Sequence, residues 1–171
     1  KIKNNLKPFF YISLVGLSLV TDDYHSAVIL SEEIKKRISI PIIWGGAHVN
    51  ARPEECLRYA DMVCMGEGEE ALLDLVKNMS TQKKWDKKIK NIWFKLYNEI
   101  IYNGIRDLEE NLDKYPFSDF DLNFQYVMRQ KGFEKLNDSH LNGIYSIMTS
   151  RGCPYACRYC YNNYRREHYK G

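Results

Sequence analysis

Hydrophobic and polar positions alternate in a regular order along the first half of the chain. Ser13 to Val20 reads SLVGLSLV, apolar apart from small residues, which predicts a strand buried on both faces. Thr21, Asp22 and Asp23 then offer helix N-caps, and Ala27, Val28, Leu30, Ile34 and Ile38 recur at helical spacing. Pro41 to Trp44 predicts a second strand ending in Gly45-Gly46, followed by a loop whose Pro53 opens a short helix through Leu57. Met62 to Met65 predicts a third strand, followed by Gly66-Glu67-Gly68 and a helix from Glu69 to Met79 that carries Leu72, Leu73, Leu75 and Val76 inward. This β-α-β-α-β-α order with tight connections predicts an α/β fold with a doubly wound parallel sheet. Three strands make a thin sheet, so further strands are expected outside the sequence in hand.

The second half is less regular. Ser80 to Lys90 is polar and lysine-rich and reads as a linker. Asn91–Leu96 and Glu99–Tyr102, separated by Tyr97-Asn98, predict a β-hairpin. Asp107 to Asn123 is acidic and aromatic, contains Pro116, and reads as an irregular strap. Ile144–Met148 predicts a last strand that delivers Arg151-Gly152-Cys153. The expected division is therefore an α/β domain over residues 1–80, a linker, hairpin and strap over 81–142, and a new domain beginning at 143.

Composition narrows the classes without choosing among them. The 171 residues are 44% hydrophobic and 27% charged, enough to build a core, and the net charge of +3 is too small for a strongly basic nucleic-acid binder. The longest apolar run, Pro8 to Val20, is too short to cross a bilayer, so no membrane is expected as a partner. Five cysteines without a secretory segment argue for a reducing, cytoplasmic setting rather than a disulfide framework.

Three of those cysteines carry the strongest signal. Cys153, Cys157 and Cys160 form a C-x3-C-x2-C arrangement on one short segment. Soft thiolates suit iron–sulfur clusters, and three ligands to a four-iron cluster leave one iron open to substrate. Two plainer readings stand beside it. One is zinc with His168 as a fourth ligand, although structural zinc usually pairs its ligands in separate two-residue knuckles. The other is a chance grouping of core cysteines.

The segment Thr149 to Cys160, TSRGCPYACRYC, resembles the cluster loop of radical S-adenosylmethionine (SAM) enzymes. The resemblance implies a [4Fe-4S] cluster on Cys153, Cys157 and Cys160 and SAM chelated to the open iron and reductively cleaved. It also places Tyr159 near the adenine. In that family the loop follows the first strand of a (β/α) barrel, matching Ile144–Met148.

Upstream, Val15-Gly-Leu-Ser18, Gly45-Gly46-Ala-His48 and Gly66-Glu67-Gly68-Glu69 resemble the later strands of cobalamin-binding, Rossmann-like domains that precede the barrel in one large class. The order of motifs, through the acidic strap to the cysteine loop, is that of class B radical SAM methyltransferases. The resemblance implies that Ser18, Gly45, Gly46, His48, Gly66, Glu67, Gly68 and Glu69 hold the nucleotide tail of cobalamin. Gly66 to Ala71 also matches G-x-G-x-x-A, but Glu67, Glu69 and Glu70 would crowd negative charge where a pyrophosphate sits. Asp23-Tyr-His25 looks superficially like the loop that supplies an axial histidine. It lacks the glycine and follows the serine strand, so His25 is expected on a helix surface.

The sequence starts at Lys1 and stops eleven residues after Cys160, which reads as a fragment: a partial cobalamin domain and a truncated barrel. The implied partners are a small-molecule or natural-product substrate and a low-potential electron donor such as a flavodoxin or ferredoxin; nucleic acid is not expected. Two competing functions remain in view. A methylthiotransferase acting on RNA or protein would want more upstream cysteines than Cys56 and Cys64. A zinc-stabilised module would contact nucleic acid through Arg165, Arg166 and Lys170.

Overall fold

The computed structural model describes residues 12–81, 86–97, 99–119, 122–129, 132–143 and 150–162. The expected strand Ile144–Met148, Trp85, His168 and the basic residues Arg165, Arg166 and Lys170 lie outside these. Two compact units are present: the residues up to Leu108 together with those from Cys153 onward, and the segment Glu109–Gly152.

The first unit is built on a five-stranded sheet in sequential order, β1 (Val15–Ser18), β2 (Ile42–Gly45), β3 (Met62–Cys64), β4 (Ile92–Leu96) and β5 (Glu99–Ile101). The first three strands are parallel, and the last two continue the sheet antiparallel. The hairpin foreseen from the sequence therefore forms, and its first strand pairs with β3. Helices α1 (Tyr24–Arg37), α2 (Ala47–Ala51), α3 (Pro53–Cys56) and α4 (Glu69–Thr81) make the connections.

Alternation along the central strands sorts the core into two layers. Ile42 and Trp44 of β2 and Val63 of β3 point to the layer containing Ala27 of α1. Ile43, Met62 and Cys64 point to the other, with Ala71 and Leu75 of α4 and with Ile92 and Phe94 of β4. Side chains of successive strand residues face opposite ways, so a fully apolar strand can serve both layers. The fold is thus α/β with a parallel sheet, as expected, but the strands run in sequential order without the reversal of a doubly wound sheet.

Three expectations need correction. β1 is not buried on both faces: Gly16 and Ser18 are exposed while Val15 and Leu17 are half-buried. On α1, Leu30 is exposed, and the buried residues are Ala27 and Ser31, one turn apart. Small residues sit there because the Trp44 indole fills the space beneath the helix, donating from Nε1 to Ser31 Oγ at 3.0 Å. On α4, Ala71 and Leu75 are buried, but Leu72, Leu73 and Val76 are exposed. The apolar positions of α4 span more of its circumference than a single sheet face can cover.

The N-cap of α1 is Asp23, but its carboxylate accepts no bond within the helix; it takes the amide of Val20 at 3.3 Å instead. Asp61 fixes the start of β2 by accepting the Ile42 amide at 2.8 Å, and its other oxygen pairs with Lys35 at 2.8 Å.

The second unit contains irregular chain with a 3-10 turn at Leu112–Lys114, in keeping with the expected strap. It also holds an antiparallel pair, β6 (Tyr126–Arg129) and β7 (Gly132–Lys135), which the sequence pattern did not reveal, and the short helix α5 (Asp138–Leu141). Among the described residues no helix is long and apolar enough to cross a membrane.

Replacing Ser31 by Ala would leave the buried indole N–H of Trp44 unpaired. Denaturant unfolding of Ser31→Ala is expected to show a loss of about 1–3 kcal/mol, with Thr retaining most of it.

Candidate functional site

The carboxyl ends of the three parallel strands open onto a groove of about 490 Å³. Crevices in open α/β sheets form at this end. Its floor lacks a side chain at two positions, Gly16 of β1, which stands opposite Ile43, and Gly45 of β2, which stands opposite Ser18. Among the described residues a Cβ on Gly16 would meet only Ile43 Cγ2, at 3.9 Å, and one on Gly45 only Cys64, at 3.8 Å and beyond. Either would project into the free space of the groove. Ile43, Cys64 and Leu72 give apolar walls, and Ser18 and Glu69 put polar groups at the rim. The exposure of Leu72, unexplained by the core, follows from this: it lines the groove.

Six of the residues expected to bind the cofactor meet here: Ser18, Gly45, Gly46, Gly66, Gly68 and Glu69. Three do not line the groove. His48 is buried on α2, with its Nδ1 hydrogen-bonded to Thr21 Oγ1 at 3.2 Å and its ring 4.7 Å from that of Tyr24, in the layer on the α1 side. Glu67 contributes its backbone carbonyl to the side-chain amide of Asn91. Tyr159 is almost fully exposed in the cysteine loop. His25 is exposed on α1, as expected.

Gly46 is constrained from two directions. Its φ of +96° favours glycine, and a Cβ there would fall 2.6 Å from the Leu19 carbonyl oxygen and 2.7 Å from its nitrogen. The tight turn brings the chain close enough for the Leu19 amide to donate to Gly45 O at 3.0 Å and for Leu19 O to accept from His48 at 3.2 Å.

Two buried asparagines had no signature in the sequence. Asn50 accepts the Gly66 amide at 2.6 Å and donates to Gly46 O at 2.9 Å, joining the two glycine turns. Asn91 donates to Glu67 O at 2.8 Å and accepts the Arg106 amide at 2.6 Å. Only their polarity in otherwise regular segments could have marked them.

Burial is the main cause that pushes the Cys64 thiol up from 9.0 to about 11, with a smaller push from Glu69 and an opposing pull from Arg106, which is paired with Asp74. The groove wall is thus neutral at physiological pH. Cys153 and Cys160 are half-buried, Cys157 is exposed, and none is in a disulfide. The Cys160 amide donates to the Cys157 carbonyl at 3.0 Å, turning the chain between the last two cysteines. Among the described residues no three His, Cys, Asp or Glu side chains are gathered as a metal site. The structure therefore shows three free thiols on one loop and not their convergence.

Comparison with known proteins addresses the groove. Residues 9–76 match the B12 binding domain. The matched segment contains every strand and turn that lines the groove. The chain is similar to an uncharacterized methyltransferase of Pyrococcus horikoshii, 29% identical over 152 residues that cover 86% of this chain and 31% of that protein. It is also similar to the bacteriochlorophyllide d C-8(2)-methyltransferase of Chlorobaculum tepidum, 22% identical over 148 residues, covering 86% of this chain and 27% of the relative. The chain thus spans less than a third of either curated relative. Among solved structures, the N-terminal domain of a hypothetical protein from Thermotoga maritima is 34% identical over 42% of this chain and 57% of that one, with a TM-score of 0.35.

Two outcomes follow. Gly46→Ala is expected to lower stability by more than about 2 kcal/mol in denaturant unfolding, since both the conformation and the space exclude a methyl group. Stability should also fall as pH rises above 9 toward 11. In that window the Cys64 thiol ionises in the unfolded chain but stays protonated in the folded one, so the unfolded state gains. Unfolding curves at pH 8 and pH 10 would measure this, and Cys64→Val should reduce the dependence, leaving the part contributed by Cys56, whose thiol burial pushes up to about 12.

Proposed function

We propose that this chain is part of a cobalamin-dependent radical SAM methyltransferase, with the groove holding the nucleotide tail of the corrinoid and the cysteine loop holding a [4Fe-4S] cluster. The observation that carries the reading is the side-chain-free groove floor at Gly16 and Gly45, lying within the segment that matches the B12 binding domain. The names of the two relatives support methyl transfer.

The residues present fit both groups. A ligand can reach the backbone at two points of the floor, Gly16 of β1 and Gly45 of β2, where nothing beyond Cα stands, with Ile43 and Ser18 beside them. The neutral Cys64 and the apolar Ile43 and Leu72 keep water from the ligand's sides, while Ser18 and Glu69 can take its polar edge. For the cluster, Cys153, Cys157 and Cys160 offer three thiols in no disulfide within eight residues, a donor set suited to iron. Tyr159, exposed between two of these cysteines, is available to pack against the adenine of SAM. When bound, the cluster supplies an electron to SAM and the corrinoid supplies the methyl group. Substrate, electron donor and cytoplasmic setting belong to the same proposal.

Anaerobic reconstitution with iron and sulfide is expected to give about four irons per chain, lost in Cys157→Ala. Hydroxocobalamin is expected to bind, with a shift in its visible spectrum. Gly16→Val should abolish that shift while leaving the melting temperature nearly unchanged, because its side chain enters open space. A colourless protein holding one zinc would overturn the cluster. Undiminished cobalamin binding by Gly16→Val would overturn the groove.

A further inference from the structure

The groove is shaped by two glycine turns that the backbone alone does not hold together. The turn at Gly46 follows β2, and the turn at Gly66–Gly68 follows β3. Each contains a glycine with positive φ, +96° at Gly46 and +69° at Gly66. Such turns have many alternative conformations when nothing restrains them.

Two side-chain amides restrain them here. Asn50, 5% exposed on α2, stands between the turns, accepting from the Gly66 N–H and donating to the Gly46 carbonyl. Asn91, 1% exposed, approaches from the other side, where the chain enters β4. Its side chain donates to the Glu67 carbonyl and accepts from the Arg106 amide. Its backbone accepts from Met65 at 2.7 Å and donates to Gly104 at 2.9 Å. The Gly46 carbonyl also accepts the Asn50 backbone amide at 3.3 Å, so the group whose hydrogen bond rests on the Asn50 side chain is the Gly66 amide.

We propose that Asn50 and Asn91 are positioning residues that hold the two turns open in the shape the nucleotide tail requires, making the β4–β5 hairpin a working part of the corrinoid site. This rests on the cobalamin reading. Neither residue touches the groove; each acts through the glycine turn it binds. Preorganisation of this kind raises affinity by removing the cost of ordering loops on binding.

Two variants isolate the effect. Asn50→Ala keeps a helix-favouring residue in α2 and removes both bonds. Asn91→Gly keeps the φ of +71° open to the chain while removing only the side-chain bonds. In titrations with hydroxocobalamin, each variant is expected to bind about tenfold more weakly than the parent, the equivalent of one or two lost hydrogen bonds. The Gly66 amide should exchange with solvent faster in Asn50→Ala, without a matching change in the core amides of β2. Cobinamide, which lacks the nucleotide tail, should bind the variants as it binds the parent. Unchanged cobalamin affinity in both variants would overturn the proposal. So would equal losses for cobalamin and cobinamide, which would indicate general loosening of the domain. A parent chain that takes up no cobalamin would instead overturn the cofactor reading, and the proposal with it.

Discussion

Everything in the larger unit is organised around β2, three buried residues and a half-buried glycine between two parallel neighbours and two side-chain layers. Ile42 and Trp44 face one layer and Ile43 the other, so the strand is a double-sided anchor that cannot slip in register without exposing one set. Its final residue, Gly45, breaks the alternation by presenting no side chain at the point where the sheet would otherwise be covered. The core and the groove are therefore consecutive stretches of one strand, the first three residues filling space and the fourth leaving it empty. β1 repeats the same device with Gly16, and its second face is left open as a result.

Much of this was legible in the sequence. Continuous apolar runs located β1, β2 and β3, and Ser18 at the end of β1 with the glycines after β2 and β3 located the ends at which the groove opens. What could not be read was which faces the helices bury. The apolar residues of α4 occupy more than one side, and only the width of the sheet decides that Ala71 and Leu75 go inward while Leu72 borders the groove. On α1 the decision rests with Trp44, whose bulk selects Ala27 and Ser31 over the more hydrophobic Leu30. Hydrophobicity alone ranks these the other way.

Other features lay beyond pattern reading for a different reason. Helix α2 has five residues, too few to show a period, and its sequence AHVNA reads as loop. The hairpin was visible as a hairpin, but nothing in Asn91–Tyr102 announces that β4 pairs with β3. Hydrogen bonds from a side chain to distant backbone, such as those of Asn50 and Asn91, leave no periodic trace at all. His48 illustrates the converse: it belongs to a recognisable motif, yet the structure turns its ring away from the groove and beneath Tyr24.

The placement of Trp44 has an optical consequence. Its backbone lines the groove while its indole sits on the reverse of the same strand, fully buried and hydrogen-bonded to Ser31. A fluorophore is thus fixed one sheet layer behind the ligand surface, shielded from solvent quenchers. A coloured occupant would dim it through energy transfer, whereas a colourless one would leave it bright. The domain carries its own built-in gauge of what kind of molecule has entered.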